Sequence, residues 1–448
     1  MKKTQIYLII FFPLTICIIQ EPFFLYHSWN KTIFKNNNDI KECLNCMPAG
    51  IKFDSNGTIY ISFPRWFSDV YSTFAKLDNV TKLFEPWPSL EENNETDPNK
   101  LNSILGFEIY NDTIYLLDQG KINNNPAKNN SIKLVVYNIK NKTRIREYIF
   151  PKEIADPENS FLNDIVIDIK RNLAYISDSG NPINNSKPNK PALIVLNLTS
   201  TDKINATRIF DSHISTIPDE TFWLNINGEK VFKDHPMKTG IDGIGLSCDF
   251  DTIFYTPLSS RMLYSINVGD LISHLSNKSI PIKINSAFKK EASDGILASK
   301  NGNLYFTGIE SGSIYYVYKI DDDLLRMDFR NLNVFQGNNT SMWPDTLAIY
   351  DHKLYWVSNQ LQNFPKNINY DNPNFGSSNF RIFYASIDND DSYLKECNVL
   401  SNNWGFGKIV IYIIFGIVIL IILSFVIMGS NKQEDIIDKN MNMDLKDN

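Results

Sequence analysis

Apolar and polar positions along the chain fall into one recurring phrase: a short apolar strand, a polar turn, and a second strand with an aromatic at a nearly fixed offset. The phrase occurs as GIKFDSNGTIYISF from Gly50, GFEIYNDTIYLLD from Gly106, DIVIDIKRNLAYISD from Asp164, GIGLSCDFDTIFYTP from Gly243, GILASKNGNLYFTG from Gly295 and TLAIYDHKLYWVS from Thr346. Its aromatic column is Tyr60, Tyr115, Tyr175, Phe254, Tyr305 and Tyr355. The copies start roughly fifty to sixty residues apart, with a longer gap between the third and fourth, and such a period belongs to solenoids and propellers. A third strand follows in each unit: STFAKLD from Ser72, IKLVVYNI from Ile132, ALIVLNL from Ala192, RMLYSI from Arg261, SIYYVYKI from Ser313 and FRIFYASI from Phe380. Their β-branched and aromatic content suits a half-buried pleated surface. Fourth strands are plainest at TKLFEPW from Thr81, TRIREYIF from Thr143 and TRIFDS from Thr207. Units built only of strands favour radial sheets around a channel, which protects their edges. The pattern predicts an all-β fold, a six-bladed β-propeller over residues 29–400.

The two ends are patterned differently. Lys2 and Lys3 precede an apolar run from Ile6 to Ile19, which has the charge and length of a secretory signal, assigned to residues 1–22. No small-residue cleavage site follows and apolar residues resume at Phe23 to Tyr26, so an uncleaved anchor is the alternative. Ile409 to Met428 form an uncharged apolar stretch of the length that spans a bilayer, followed by a polar tail over 429–448. Together these predict a single-pass type I membrane protein with the propeller extracellular or lumenal and a short cytoplasmic tail. A lipid-anchor signal fits less well, because such signals end in their apolar segment.

Length, charge and cysteines add constraints. The chain has 448 residues with no Pro/Gly/Ser-rich linker, which suits one large ring rather than several domains. A net charge of −6 with no basic stripe excludes the footprint of a nucleic-acid binder. Thirteen N-x-[ST] sequences, at Asn30, Asn56, Asn79, Asn94, Asn111, Asn129, Asn141, Asn184, Asn197, Asn205, Asn277, Asn338 and Asn339, are compatible with a glycosylated ectodomain. Beyond the signal stand Cys43, Cys46, Cys248 and Cys397. Cys43-x-x-Cys46 has no second pair to make a zinc site, and four cysteines allow three pairings. Ring closure favours a bridge between Cys397 and the Cys43 segment, with Cys248 unassigned.

Candidate chemistry lies along the axis. The residues just before the innermost strands are Ala49, Leu105, Asn163, Asp242, Asp294 and Asp345, so four consecutive blades present a short amide or carboxylate at one level. The antiparallel second strands return to the same mouth at Asp118, Asp178 and Asn359. Converging carboxylates raise one another's pKa unless a cation compensates them. Hard oxygen ligands at Asn163, Asp242 and Asp294 suit Ca2+. Aromatic walls, for which Trp343 and Phe364 are candidates, would favour an organic amine through cation–π attraction. The competing reading is structural, since Asp and Asn beside strands hydrogen-bond turn amides. Five histidines, His27, His213, His235, His274 and His352, have no zinc-binding spacing, and no dinucleotide or P-loop fingerprint occurs. Arg65 and Arg261 are placed to brace blade carboxylates, with ligand contact the alternative.

Specific motifs carry a family resemblance. FPRWFSDVYSTFAKLD from Phe63, SFLNDIVID from Ser160, ISDSG from Ile176, GIDGI from Gly240, TPLSSRMLYSI from Thr256 and WVSNQLQ from Trp356 occur in the order of the major royal jelly protein/yellow family. The chain resembles that family over nearly the whole ectodomain. The resemblance implies a secreted six-bladed propeller, and the apolar stretch near the C-terminus makes this a tethered version. It also implies binding of a small molecule, such as a biogenic amine or aromatic compound, in the channel. The alternative is an enzyme, either of dopachrome-converting type or a calcium-dependent sugar-lactone hydrolase. The hydrolases use an early-blade glutamate, which GIKFD lacks; Glu108 does not obviously replace it.

Overall fold

A computed structural model describes residues 22–387 except 124, 181–188, 201–203, 318–332, 336, 338–339 and 365–377. Residues 1–21 of the expected signal, the expected transmembrane helix and the tail lie outside the described residues. Among the described residues no helix is long and apolar enough to cross a membrane.

Six sheets form the blades, in chain order. From the axis outward, blade 2 runs Ile104–Tyr110, Thr113–Asp118, Lys133–Asn138 and Arg144–Ile149, and blade 3 runs Leu162–Asp168, Leu173–Asp178, Ala192–Asn197 and Ala206–Ile209. Blade 4 is Ile241–Leu246, Thr252–Pro257, Met262–Asn267 and Ile284–Lys289, and blade 5 is Ile296–Ala298, Leu304–Gly308, Ser313–Val317 and Asn333–Phe335. Blade 1 has Ile51–Phe53, Ile59–Ser62, Phe74–Leu77 and Phe84–Pro86, extended outward by Thr32–Asn36 and Asp39–Cys43 through one parallel pairing of Phe34 with Phe84.

Blade 6 is built from both ends of the ring. Pro344–Tyr350, Lys353–Ser358 and Phe380–Ser386 are its first three strands, and Phe23–Trp29 pairs antiparallel with Phe380–Ser386 as the outermost. The propeller therefore starts at Phe23 rather than at 29, and the apolar residues Phe23 to Tyr26 belong to this strand. Asn379 fastens the junction, donating its backbone N–H to Asn30 Oδ1 at 3.1 Å and its side-chain amide to Asn30 O at 3.1 Å. The expected Cys397 bridge to the Cys43 segment is overturned, because Cys43 and Cys46 are bonded to each other. Cys248 is also disulfide-bonded, so its partner lies outside the described residues.

The apolar runs are nearly continuous because each blade is buried on both faces. Successive residues of a strand point to opposite faces. In blade 3, Ile165, Ile167, Ala174, Ile176, Ile194 and Leu196 pack on blade 2, while Val166, Tyr175, Leu193, Val195 and Ile209 pack on blade 4. The aromatic column acquires its meaning here: Tyr60, Tyr175, Phe254, Tyr305 and Tyr355 lie in the apolar clusters shared with the following blade, Tyr355 meeting blade 1 and so closing the ring. Burying each such ring contributes about 1.5–3 kcal/mol. Where the buried ring carries a hydroxyl it needs a partner; Tyr175 donates to Asp168 Oδ2 at 3.1 Å.

Candidate functional site

Four of the axial residues sit on irregularities inside the inner strands rather than just before them, whereas Asp294 stands just before its inner strand, Ile296–Ala298. Pairing with the second strand breaks register between Ile104 and Phe107, Leu162 and Ile165, Ile241 and Ile244, and Pro344 and Leu347. Leu105, Asn163, Asp242 and Asp345 are therefore the first residues of bulges. A bulge leaves a residue outside the ladder and re-aims its side chain. The next residue faces the neighbouring inner strand at very close range. A Cβ on Gly243 would lie 2.1 Å from the Asp294 carbonyl oxygen, and one on Gly295 would lie 2.3 Å from that of Asp345.

This geometry brings Asn163, Asp242, Asp294 and Asp345 around one cavity of about 10 Å³, with Leu105, Gly106, Asp164, Gly295 and Thr346 completing its wall. That is room for about one water molecule or ion. Asn163 donates from Nδ2 to Asp242 Oδ2 at 2.7 Å and to Ser179 Oγ at 3.2 Å. Asp242 and Asp294 are in hydrogen-bonding contact through their carboxyl groups. Trp343 Nε1 donates to Asp294 Oδ2 at 2.8 Å, and Asn359 Nδ2 donates to Asp345 Oδ2 at 2.7 Å. Asp242 Oδ1 is buried with no hydrogen-bond donor.

Burial governs the charge on this cluster. It pushes Asp242 and Asp345 well above the ordinary carboxylate range, and the carboxylate of Asp294 pushes them further. Asp294 is also raised by burial, with its bonds to Asp242 and Trp343 working in the other direction. Asp164 is pushed up to about 6 by burial, partly offset by Lys52. Lys52 is the compensating charge one level along the axis: its Nζ lies 3.4 Å from Glu108 Oε2. Lys52, Glu108 and Asp164 line a second cavity of about 10 Å³, so Glu108 is an axial residue after all.

An insertion before blade 4 explains part of that burial. Its hairpin, Asn225–Ile226 with Glu229–Lys230, belongs to an apolar cluster in which Phe222, Leu224 and Ile226 meet Leu258, Ala292, Ile309 and Trp343. Those four partners come from the connections of blades 4 to 6 at the end where the inner strands begin. Asn225 N donates to Glu310 Oε1 at 3.0 Å, and Arg261 pairs with the same carboxylate, so Arg261 braces the strap.

The remaining expected site residues do other work. Asp118 accepts from Asn102 N at 2.7 Å, Ser103 N at 2.8 Å and Gly120 N at 2.9 Å, beside Lys133. Asp178 accepts from Phe161 N at 2.7 Å and Gly180 N at 3.0 Å and pairs with Arg208. Both tie the loop entering their own blade to the end of its second strand, so neither charges the mouth. Asn359 occupies the equivalent place but reaches the cluster by holding Asp345. Arg65 does not neutralise the cluster; it is buried against the carbonyl oxygens of Val70, Leu101, Asn102 and Asn93 and pairs with Glu95. Trp343 and Phe364 are not open aromatic walls. Trp343 is fully buried, and Phe364 packs between Phe67 and Phe380. Asp164 escaped the sequence reading, although it directly follows Asn163 where blades 1, 2, 4 and 5 carry glycine. Among the described residues no group of three or more His, Cys, Asp or Glu side chains is gathered closely enough to hold a metal ion. The calcium set Asn163, Asp242 and Asp294 has two carboxylates and one amide, and the donorless Asp242 Oδ1 is the atom in it suited to a cation.

Comparison with known proteins bears on the family. The profile for major royal jelly proteins matches residues 110–394. Major royal jelly protein 7 of Apis mellifera is 22% identical over 334 residues, covering 70% of each chain. Major royal jelly protein 6 of the same species is 24% identical over 339 residues, covering 70% of this chain and 71% of that one. Protein yellow of Drosophila erecta is 25% identical over 175 residues, 34% of this chain and 32% of its own. Among solved structures, a luciferin-regenerating enzyme aligns with a TM-score of 0.44 and 12% identity over 79% of this chain and 95% of that one. A regucalcin from Agrobacterium tumefaciens, described as calcium-binding, aligns with a TM-score of 0.45 and 11% identity over 78% and 94%. At that distance neither structure bears on the ligand of this site.

Proposed function

Because the chain belongs to the major royal jelly protein family, we propose that it is a membrane-tethered extracellular or lumenal propeller that binds a small cation in its central channel. Asn163, Asp242 and Asp294 are the binding groups, two carboxylates and one amide, and Asp345, held by Asn359, borders the same cavity. The observation that carries this reading is the meeting of four adjacent blades around one ion-sized cavity, with a buried carboxylate oxygen of Asp242 facing no donor. A cation supplies the positive charge that the carboxyls otherwise obtain by keeping protons. Oxygen-only donors favour a hard ion such as Ca2+. The size of the cavity admits the ammonium head of an amine but not an aromatic body, which would have to lie beyond the carboxylates.

Thermal unfolding in the presence of CaCl2, MgCl2 or a primary amine is the test. A ligand at a hundred times its Kd stabilises the native state by about 2.7 kcal/mol. Calcium is expected to raise the melting temperature of the native protein and to lose that effect in Asp294→Ala. No response to any of the three probes would overturn the reading.

A second reading, turnover of a lactone or dopachrome-type substrate, is favoured by one observation. The contact between Asp242 and Asp294, both with raised affinity for protons, is an arrangement suited to general acid–base work. Substrate conversion that disappears in Asp242→Asn would select it. The tether is tested separately, by whether alkaline carbonate leaves the full chain in the membrane pellet and extracts a chain truncated before Ile409.

A further inference from the structure

The N-x-[ST] sequences sort by the two ends of the propeller. Strands alternate in direction within each blade, so first-to-second and third-to-fourth connections share one end. Second-to-third and blade-to-blade connections share the other. The carboxylate cluster lies near the beginnings of the inner strands and hence at the second end. Asn56 and Asn111 occupy first-to-second turns of blades 1 and 2, and Asn79, Asn141, Asn205 and Asn277 occupy third-to-fourth connections of blades 1 to 4. All six side chains are exposed.

We propose that the end remote from the carboxylate cluster is modified by N-linked glycans at these six asparagines, covering that end of blades 1 to 4. The proposal rests on the extracellular or lumenal location proposed above. A lipid-pyrophosphate-linked oligosaccharide is the donor. A bond forms between Asn Nδ2 and the first sugar carbon, the bond from that carbon to pyrophosphate oxygen breaks, the lipid pyrophosphate leaves, and the amide gives up a proton. A polar oligosaccharide attached before folding is complete must end in water, because burying it would leave many hydroxyls unpaired. Exposure in the folded blade is therefore the structural requirement. Local geometry fits it. Asn141 Oδ1 accepts from the Thr143 hydroxyl at 2.6 Å, and Asn277 Oδ1 accepts from the Ser279 hydroxyl at 2.8 Å, which leaves Nδ2 out of both turn bonds; Asn197 Oδ1 accepts from the Thr199 hydroxyl at 2.7 Å in the same way, so exposure and not this bond separates the asparagines.

Two asparagines discriminate this reading from indiscriminate modification. Asn197 ends the third strand of blade 3, half-buried, and Asn30 is half-buried with its Oδ1 accepting from Asn379 N. Neither is expected to carry a glycan. Asn94 and Asn129 are exposed at the cluster end, but both adjoin blade 2, away from the blades that supply the carboxylates.

The experiment uses the full chain made in a eukaryotic secretory system. Protease treatment of intact microsomes establishes which side the propeller occupies. Enzymatic deglycosylation in H2-18O followed by peptide mass spectrometry then reads occupancy residue by residue. The expected result is a protected propeller with 18O-labelled aspartate at the six positions and unlabelled Asn30 and Asn197. A protected propeller that is unlabelled at the six, or labelled equally at Asn30 and Asn197, overturns the glycan assignment and leaves the location standing. A propeller digested from outside overturns both.

Discussion

Replacing Asp242 by asparagine separates a binding carboxylate from a structural one. Asp242 is 2% exposed, touches Asp294, and accepts from Asn163. Two carboxylates about 4 Å apart at an effective dielectric constant near 20 repel by roughly 4 kcal/mol if both ionise. Proton uptake relieves part of that, so about 1–3 kcal/mol remains for the substitution to remove at pH 8 in the absence of a cation. Unfolding entropy of about 2.1 cal/mol/K per residue over roughly 360 residues makes this a rise of about 1–4 °C in Tm. The pH dependence has a definite sign. Carboxyls whose folded values are raised above the unfolded value contribute stability that is complete below the unfolded pKa and disappears as pH rises through the folded one. For Asp164 that window runs from about 3.8 to about 6. Differential scanning calorimetry at pH 4 and pH 8 should therefore show the wild-type protein losing more stability than Asp242→Asn between the two. Calcium should restore only the wild type. A variant less stable than wild type by more than about 1 kcal/mol at pH 8 would refute the reasoning, because it would make Asp242 a structural acceptor like Asp118.

Asp118→Ala leaves three backbone donors without their acceptor and the buried Lys133 without its counter-charge, and should cost about 3–5 kcal/mol in chemical denaturation while the remaining folded protein keeps its calcium response. Gly243→Ala places a methyl against the Asp294 carbonyl; soluble yield and Tm should fall as for a loss of several kcal/mol. Trp343→Phe keeps the apolar contact but removes the N–H bond to Asp294, which should lower stability by about 1–2 kcal/mol in urea unfolding and weaken calcium binding measured by calorimetry. Removing Phe23–Trp29 exposes the edge of Phe380–Ser386, and cooperative unfolding should be lost or shifted to clearly lower urea.

The inner strands, their hairpin partners and the third strands were legible because both faces of every blade are buried, which writes dense apolar runs separated by short polar turns. The aromatic column was legible for the same reason, since each ring fills the same gap between a blade and its successor. Phe23–Trp29 was hidden, because its partner Phe380–Ser386 lies at the far end of the chain and its own apolar residues continue those of the signal-like segment. The axial site was legible only in part. Asp118, Asp178, Asp242 and Asp345 all sit beside strand ends, and the sequence does not separate those facing backbone N–H groups from those re-aimed by a bulge. The strap around Asn225–Lys230 left its trace only as the long gap between the third and fourth copies. Pairing of Cys43 with Cys46 was obscured by the expectation that a bridge would close the ring, a task done instead by the blade 6 strand.

The most direct measurement is an anomalous difference map from crystals of the propeller soaked with a lanthanide that substitutes for Ca2+. A peak among Asn163, Asp242, Asp294 and Asp345, absent from crystals of Asp242→Asn, is the predicted result. A fully soaked crystal with no peak in that cavity, or with its peaks only on surface carboxylates, would contradict it.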